Sequence, residues 1–283
     1  MFVALPGLTP SCAGPNLIRA ERATFTGPAR FLADDSNRAD VGTYLADMTR
    51  PFGIEPHAEL SGQSYGEMAA ALVATTVPAA EPVDLLVLAF SVHDLWPGRA
   101  TAAYLSRVCP GTPMSFAICD QGRAAAFTGL RVIQAYRPRR ALLLVVEQAT
   151  IPYASTAIPP AEHRGVAMLF GDTAGSPVTG VHQHPDVAPD AVAGHATAGI
   201  AALSAGHDEV RVVLGDGLAT AWPAHPGHTV APAGQPATGA WWHLAEQRTE
   251  QPELVVVADY DPDLRDLCLT GIGTAARPDP TTR

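Results

Sequence analysis

The chain has 283 residues, of which 47% are hydrophobic and 16% charged, and its formal net charge is −10. This composition predicts a sizeable buried core and excludes global disorder. It also argues against a nucleic-acid groove, which needs clustered positive charge.

Cysteine usage and the N-terminus predict a cytoplasmic protein. Four scattered cysteines, Cys12, Cys109, Cys119 and Cys268, form no CxxC pair, which is typical of a reducing compartment. The first residues lack the basic region of a signal peptide, and no apolar run is long enough to span a bilayer. We therefore expect no membrane contact.

In chain order, short apolar runs alternate with helical stretches. We predict strands at 83–90, 114–119, 141–146, 166–170, 209–214 and 254–258, and helices at 66–75, 100–107, 122–135, 191–204 and 239–246. Continuous apolar runs are typical of strands covered by helices on both faces, so the alternation indicates an α/β fold. We expect residues 20–60 to form loops and short helices, and the tail from Ala275 to fray.

The most informative stretch is 167–178, which reads AMLFGDTAGSPV. It resembles the Phe-Gly-Asp-Gly-Ala-Gly hairpin of the β-ketoacyl-ACP synthase III family of thiolase-fold condensing enzymes. The resemblance covers residues 50–275. It includes Trp96-Pro97-Gly98, which is similar to a Phe-Pro-Ser turn, and residues 234–246, which are similar to a Gly-Asn-Thr-Ser-Ala-Ala segment and its helix.

The resemblance implies a five-layered αβαβα thiolase fold with two duplicated halves, the second of them shortened. A Pro-rich stretch at 185–189 leads us to divide the chain into an N-terminal thiolase-like half, 1–185, and a C-terminal thiolase-like half, 186–283. Residues 259–269 take the place of a Gly-rich loop of the family.

The family transfers acyl groups with a Cys at a helix N-terminus, a His and an Asn. In this register, counting forward from Phe116 puts the nucleophile position at Gly122. Counting back from Gly129 gives Arg123 instead, and counting back from the following strand gives Gln121. None of the three is a nucleophile.

The other two catalytic positions are also substituted. The His position falls at Asp216 or Gly215, and the Asn position holds Gln235. A carboxylate at 216 would repel a developing oxyanion. The resemblance therefore predicts that ordinary condensing chemistry is lost.

Cys119 is the alternative nucleophile, three positions before Gly122. We favour the simpler interpretation of a small buried strand residue, because Asp120 beside it would raise the thiol pKa. We interpret Ser115 as an interface or turn residue and His93 as a polar loop residue.

Three further features could each be interpreted either as a ligand-binding site or as residues without a ligand. Arg164 matches a family arginine that stacks on the adenine of coenzyme A, yet the departure of the other site residues disfavours a ligand here. His182 and His184 have metal-ligand spacing without a third ligand, and we predict no metal site. Trp241 and Trp242 are expected to pack a helix.

These observations give three hypotheses. The leading one is a non-catalytic synthase III-like subunit that supports an active condensing enzyme or acyltransferase in secondary-metabolite (polyketide or related) biosynthesis. The second is an acyltransferase that uses Cys119, or Asp216 as a general base. The third is a homodimeric module that binds an acyl or aromatic ligand.

The resemblance also implies partners. We expect a heterodimer or heterotetramer with a synthase III-like paralogue, or a homodimer, through the strand from Met114 to Cys119. An acyl carrier protein could dock on the basic turn 137–140. We expect no resident cofactor; a CoA or phosphopantetheine thioester would be a substrate.

Overall fold

The computed structural model describes residues 15–57, 60–96, 98–155, 159–172, 175–246 and 252–273. Their strands are β1 (Asn16–Thr24), β2 (Leu85–Ala89), β3 (Met114–Ile118), β4 (Arg140–Glu147), β5 (Arg164–Gly171), β6 (Ser176–His184), β7 (Val210–Leu214), β8 (Thr229–Val230), β9 (Leu254–Asp261) and β10 (Asp266–Gly273). Their α-helices are α1 (Asp35–Thr49), α2 (Tyr65–Thr76), α3 (Thr101–Val108), α4 (Ala125–Tyr136), α5 (Val192–Ser204), α6 (Asp216–Ala221) and α7 (Gly239–Glu246). Cys12, Pro97, residues 173–174 and the tail from Ala275 lie outside the described residues.

The strands form two sets of five with the same connectivity. In the first set, in the order β3-β2-β4-β5-β1, β2 is parallel to both β3 and β4, whereas β5 is antiparallel to β4 and β1. In the second set, β7 is parallel to β8 and β9, and β10 is antiparallel to β9 and β6. The sets join only where β1 pairs with β6, at Asn16–Pro177 and Leu17–Ser176.

The helices complete five layers. Helices α4 and α7 lie between the two sets of strands, and their residues Leu130 and Trp241 share one core with Val87 of the first set and Val257 of the second. Helices α2 and α3 cover the outer face of the first set, and α5 and α6 cover that of the second. The predicted thiolase fold, with a shorter second half, is confirmed.

The buried strands follow from the alternation of side chains along a strand. In β2, Val87 faces the central helices while Leu86 and Leu88 face α2 and α3, so all three are fully buried. A strand covered on both faces must be apolar at every position. This is why the continuous apolar runs predicted β2, β4, β5, β7 and β9, whereas β3, which the sequence also predicted, is only partly buried.

Residues 20–60 differ from the expected loops and short helices. Strand β1 extends to Thr24, and α1 is a regular helix of 15 residues that begins after an Asp34 cap. The charged side chains of this strand are half-exposed and separate its apolar residues, so the sequence shows no apolar run there. Helix α1 has only three buried residues, Val41, Leu45 and Thr49, and therefore shows no clear amphipathic pattern.

The predicted hairpin at 167–178 is wrong in its pairing. Strands β5 and β6 do not bond to each other, because β1 lies between them. Gly175 has a φ of +111°, and a Cβ there would collide with the carbonyl of Leu17. The glycine therefore allows the connection to pass close to β1. The domain boundary at 185 stays a prediction, although the strand connectivity starts again at β6.

Residues 259–269, which take the place of a Gly-rich loop of the family, lie in a strand pair. These residues form the end of β9, a turn and the start of β10. Leu267 and Leu269 are fully buried against the outer helices of the second set. Over the described ranges, no helix is long and apolar enough to cross a membrane.

Candidate functional site

The chain between β3 and α4 occupies the place where the resemblance puts a nucleophile. Asp120 and Gly122 both have left-handed backbone conformations, with φ of +59° and +47°. A Cβ on Gly122 would overlap the carboxylate of Asp261, which accepts a hydrogen bond from the Arg123 backbone N–H at 3.0 Å. Position 122 therefore requires glycine both for its backbone and for space.

Arg123, the second candidate for this position, points into a buried cluster of carboxylates. Its guanidinium forms an ion pair with Asp216 and lies 3.3 Å from Asp259 Oδ2. The side chain of Arg123 is 16% exposed and that of Asp259 only 5%. Asp216 also accepts a hydrogen bond from the Gly234 N–H at 3.2 Å, so both of its oxygens are engaged.

Burial and charge act against each other in this cluster. Burial raises the pKa of Asp259 to about 6, although Arg123 and two backbone N–H donors favour its ionised form. Burial alone would lower the pKa of Arg123, but the charges of Asp259 and Asp216 outweigh it and raise that pKa. The cluster therefore holds a permanent cation between two carboxylates.

The remaining position of the pattern, Gln235, is already engaged by hydrogen bonds. Its Nε2 donates to the Glu162 carbonyl at 3.2 Å, and its Oε1 accepts from Thr238 Oγ1 at 3.2 Å. Thr238 in turn binds the buried Glu147, which also accepts from the Ala237 N–H at 2.6 Å. Burial raises the pKa of Glu147.

Gln121, the third candidate for the nucleophile position, accepts a hydrogen bond from Thr128 Oγ1 at 2.5 Å. Gly215 precedes α6, and a Cβ there would collide with the Asp259 carboxylate. The structure thus brings Gly122, Asp216 and their neighbours together, but as a packed ion cluster.

A cleft of about 790 Å³ opens beside this cluster, between the ends of β2 and β3 and the start of α3. Cys119, His93, Asp120 and Ser115 line it. The interpretation of Cys119 as a buried strand residue is wrong, because the thiol follows the last residue of β3 and is exposed. Burial and the adjacent Asp120 raise the pKa of that thiol, so it is not activated as a thiolate.

Arg164 lies away from this cleft, at the start of β5. Its guanidinium stacks on the ring of Trp242 at 4.5 Å, and its Nε donates to Glu162 at 2.7 Å. Arg22 stacks on the same ring at 4.8 Å. Trp241 is buried against Phe127 of α4. A role for Arg164 in binding coenzyme A stays a prediction.

His93 lies in the loop after β2, and His182 and His184 lie on β6. His93 Nδ1 lies 3.0 Å from the Asp94 carbonyl. The rings of His182 and His184 are stacked at 6.4 Å, and His195 of α5 lies 6.0 Å from His184. Within the described ranges, no group of three or more His, Cys, Asp or Glu side chains is arranged to hold a metal ion.

Sequence reasoning missed Asp259, Asp261, Glu147 and Arg99 as site residues. Each carboxylate interrupts or ends an apolar run, as in the YD ending of β9 and the VVEQ ending of β4. An ionisable residue in an otherwise buried run was the available indication, because such residues are rarely buried without partners.

No protein-family model and no curated protein matches the chain. Solved structures do match over nearly its whole length. They include ChlB3, described as an acyltransferase (14% identity, 92% of this chain and 98% of that one, TM-score 0.62), and AbyA1, a tetronic acid condensing enzyme (15%, 92% and 99%, TM-score 0.61). A 3-oxoacyl-(acyl carrier protein) synthase III from Pseudomonas aeruginosa matches at 14% identity, over 92% and 98%, with a TM-score of 0.59. At these identities the likeness establishes a shared fold, and function must be argued from the site.

Proposed function

We propose that this chain is a non-catalytic, synthase III-like subunit that supports an active condensing enzyme or acyltransferase in secondary-metabolite biosynthesis. The observation that carries the proposal is the packing at Gly122. The Asp261 carboxylate occupies the space of a nucleophile side chain, and the Arg123–Asp216–Asp259 cluster fills the surroundings.

This arrangement is unsuited to acyl transfer at the family position. Acyl transfer needs a nucleophile and hydrogen-bond donors aimed at a developing oxyanion. Two carboxylates, Asp216 and Asp261, would repel that charge, and the single cation, Arg123, is already neutralised by ion pairs. The amide of Gln235 is already engaged in hydrogen bonds with other residues of the chain.

The free edge of β3 supports a partner role. Strand β3 is at the end of its sheet, and the Met114 side chain on it is 56% exposed. Val108 and Tyr136 nearby are 43% and 54% exposed. An apolar, unpaired edge favours pairing with another strand. A synthase III-like paralogue that pairs here would bury this surface.

A basic rim beside this edge supports docking of an acidic acyl carrier protein on the complex. Arg137 and Arg139 are exposed, whereas Arg140 is tied to Glu81 by an ion pair. Charge complementarity of this kind mainly accelerates association.

Co-expression with synthase III-like proteins encoded near the gene tests the proposal. We expect a stable complex with one of them, and higher acyl-transfer activity for the complex than for that partner alone. A soluble homodimer that binds none of them and leaves their activity unchanged would contradict the proposal.

A second candidate function is acyl transfer through Cys119. It is favoured by one observation, the exposure of that thiol in a cleft of about 790 Å³. Intact-mass measurement after incubation with acyl-CoA would detect an adduct. An adduct that is lost in Cys119→Ala but kept in Cys109→Ala, whose thiol is buried, would establish this function instead.

A further inference from the structure

The cleft beside β3 exists because its walls carry small side chains. Successive strand residues point to opposite faces, so Ser115 and Ala117 of β3 face the cleft, as does Cys119 beyond it, while the bulkier Phe116 and Ile118 face the core. On the opposite side, Ala102 and Ala103 of α3 complete the wall. The volume of about 790 Å³ lies within the usual range of small-molecule sites.

The rest of the lining mixes apolar and polar side chains, and one side chain in it, that of Arg99, carries a fixed positive charge. Phe90, Trp96 and Ile151 supply apolar and aromatic surface, and Arg99 lies at the entrance to α3. The polar groups Tyr153 and Ser155 also reach the cleft.

The guanidinium of Arg99 is held in one orientation by the side chains around it. It lies over the ring of Trp96 at 3.9 Å and over the ring of Tyr104 at 3.9 Å. Gly66 of α2 leaves the space for it, since a Cβ there would lie 3.2 Å from Arg99 Nη1. Two aromatic faces and a glycine therefore fix the plane of the guanidinium while leaving its N–H edge without an acceptor among the residues that the structure describes.

No residue of the described part of the chain pairs with this guanidinium. The two carboxylates of the cleft have other partners. Asp94 is buried and accepts hydrogen bonds from the Tyr65 and Trp96 N–H groups, Thr101 and Gln148. Asp120 interacts with the Cys119 thiol. A partly buried arginine without a counterion among the described residues, set in a cleft with apolar and aromatic side chains in its walls, indicates that an anion completes the site.

We propose that this cleft binds, without a covalent step, a small organic monocarboxylate with an apolar body. The carboxylate lies along the N–H edge of Arg99, which matches it in a planar, two-bond geometry. The apolar body packs against Trp96, Ile151 and the alanine wall. A single guanidinium matches one carboxylate charge, whereas a phosphate needs more donors. The inference goes beyond the proposed function; because the cleft shares strand β3 with the proposed partner edge, its test uses the chain without a partner.

Isothermal titration of the full-length chain tests the proposal with two probe pairs, hexanoate against hexanamide and phenylacetate against phenylacetamide. Each amide keeps the shape of its acid and removes the charge. We expect each acid to bind at least about tenfold more tightly than its amide, the effect of a charge-assisted hydrogen bond.

Arg99→Gln should abolish that preference, whereas the control Arg107→Gln, at an exposed position of the helix α3 that follows Arg99, should keep it. Equal binding of acid and amide, an undiminished preference in Arg99→Gln, or no binding of any probe would each overturn the proposal. If Arg99→Gln fails to fold, the comparison of acid with amide on the natural chain decides the question alone.

Discussion

Gly122 is the residue on which the proposed non-catalytic role depends. Its φ of +47° is a conformation that side chains rarely adopt, and its Cβ position is occupied by the Asp261 carboxylate. A cysteine side chain has no room at this position, so placing a thiol at position 122 should not by itself create acyl-transfer activity.

We predict that Gly122→Cys lowers the free energy of unfolding by roughly 2–4 kcal/mol and forms no acyl adduct, because strain and overlap add. Urea unfolding and intact-mass measurement check this. Gly53→Cys is the matched control: Gly53 has a φ of +64° with nothing near its Cβ position, so it reports the backbone strain alone. Equal losses in the two variants would show that the overlap with Asp261 is unimportant.

The ion cluster should give the protein a recognisable pH dependence. The pKa of Asp259 is about 6 in the folded protein, above its value of about 3.9 in an unfolded chain. The folded state therefore binds this proton more tightly, and the contribution of Asp259 to stability falls as the pH rises from about 4 to about 6.

We predict that the natural chain loses about 2–3 kcal/mol relative to Asp259→Asn between pH of about 4 and about 7, at 1.36 kcal/mol per pKa unit. Denaturant unfolding at several pH values measures the difference. A constant difference for Asp259→Asn would contradict the assignment.

Among the elements of the fold, strand β3 is paired with β2 along one edge and has no partner strand among the described residues along the other. The Met114 N–H donates to the Asp84 carbonyl at 3.0 Å, and the Ile118 carbonyl accepts from the Phe90 N–H at 3.0 Å. In a parallel pair, alternate residues bond to the same neighbour. The N–H of Ala117 therefore faces the free edge.

We predict that Ala117→Pro leaves the monomer folded and weakens assembly at least about tenfold, because proline removes a backbone donor that a partner strand would use. Light scattering and co-purification measure the assembly. Val230→Pro is the matched control on β8, the opposite edge, where the Ala231 N–H rather than that of Val230 bonds to β7. If Val230→Pro disrupts assembly and Ala117→Pro does not, the interface lies at the β8 edge, which contradicts the prediction.

For the whole molecule, the shared central layer makes the two duplicated sets interdependent. Leu130 of α4 and Trp241 of α7 contact strands of both sets and are fully buried. Separation of the sets would expose both helices, at a cost of about 1.5–3 kcal/mol for each large apolar side chain.

We therefore predict a single cooperative unfolding transition, with near- and far-ultraviolet circular dichroism changing together. A fragment ending at residue 174 should show no cooperative melt and should bind hydrophobic dyes. Two separate transitions in the full chain, or a fragment that folds alone, would contradict the interdependence of the two sets.

Sequence patterns predicted much of this architecture because a strand that is buried on both faces is a continuous run of apolar residues. Strand β4 is apolar at every position from Ala141 to Val146 and is fully buried. Strand β1 could not be predicted in this way, since half-exposed charged side chains separate its apolar residues. The absence of a nucleophile at Gly122 and of an imidazole near Asp216 could also be read directly, because the chain simply lacks those groups there.

Sequence by itself thus determined the layered α/β fold and the residue types at positions 122, 216 and 235, since both can be read from local runs of residues. Only the tertiary structure decided that Arg123 meets Asp216 and Asp259, that Cys119 is exposed and that Arg99 has no ion-pair partner among the described residues. These pairings join residues far apart in the chain. The packing of β9 and α6 against the start of α4 selects them, and no local pattern specifies which carboxylate reaches which arginine.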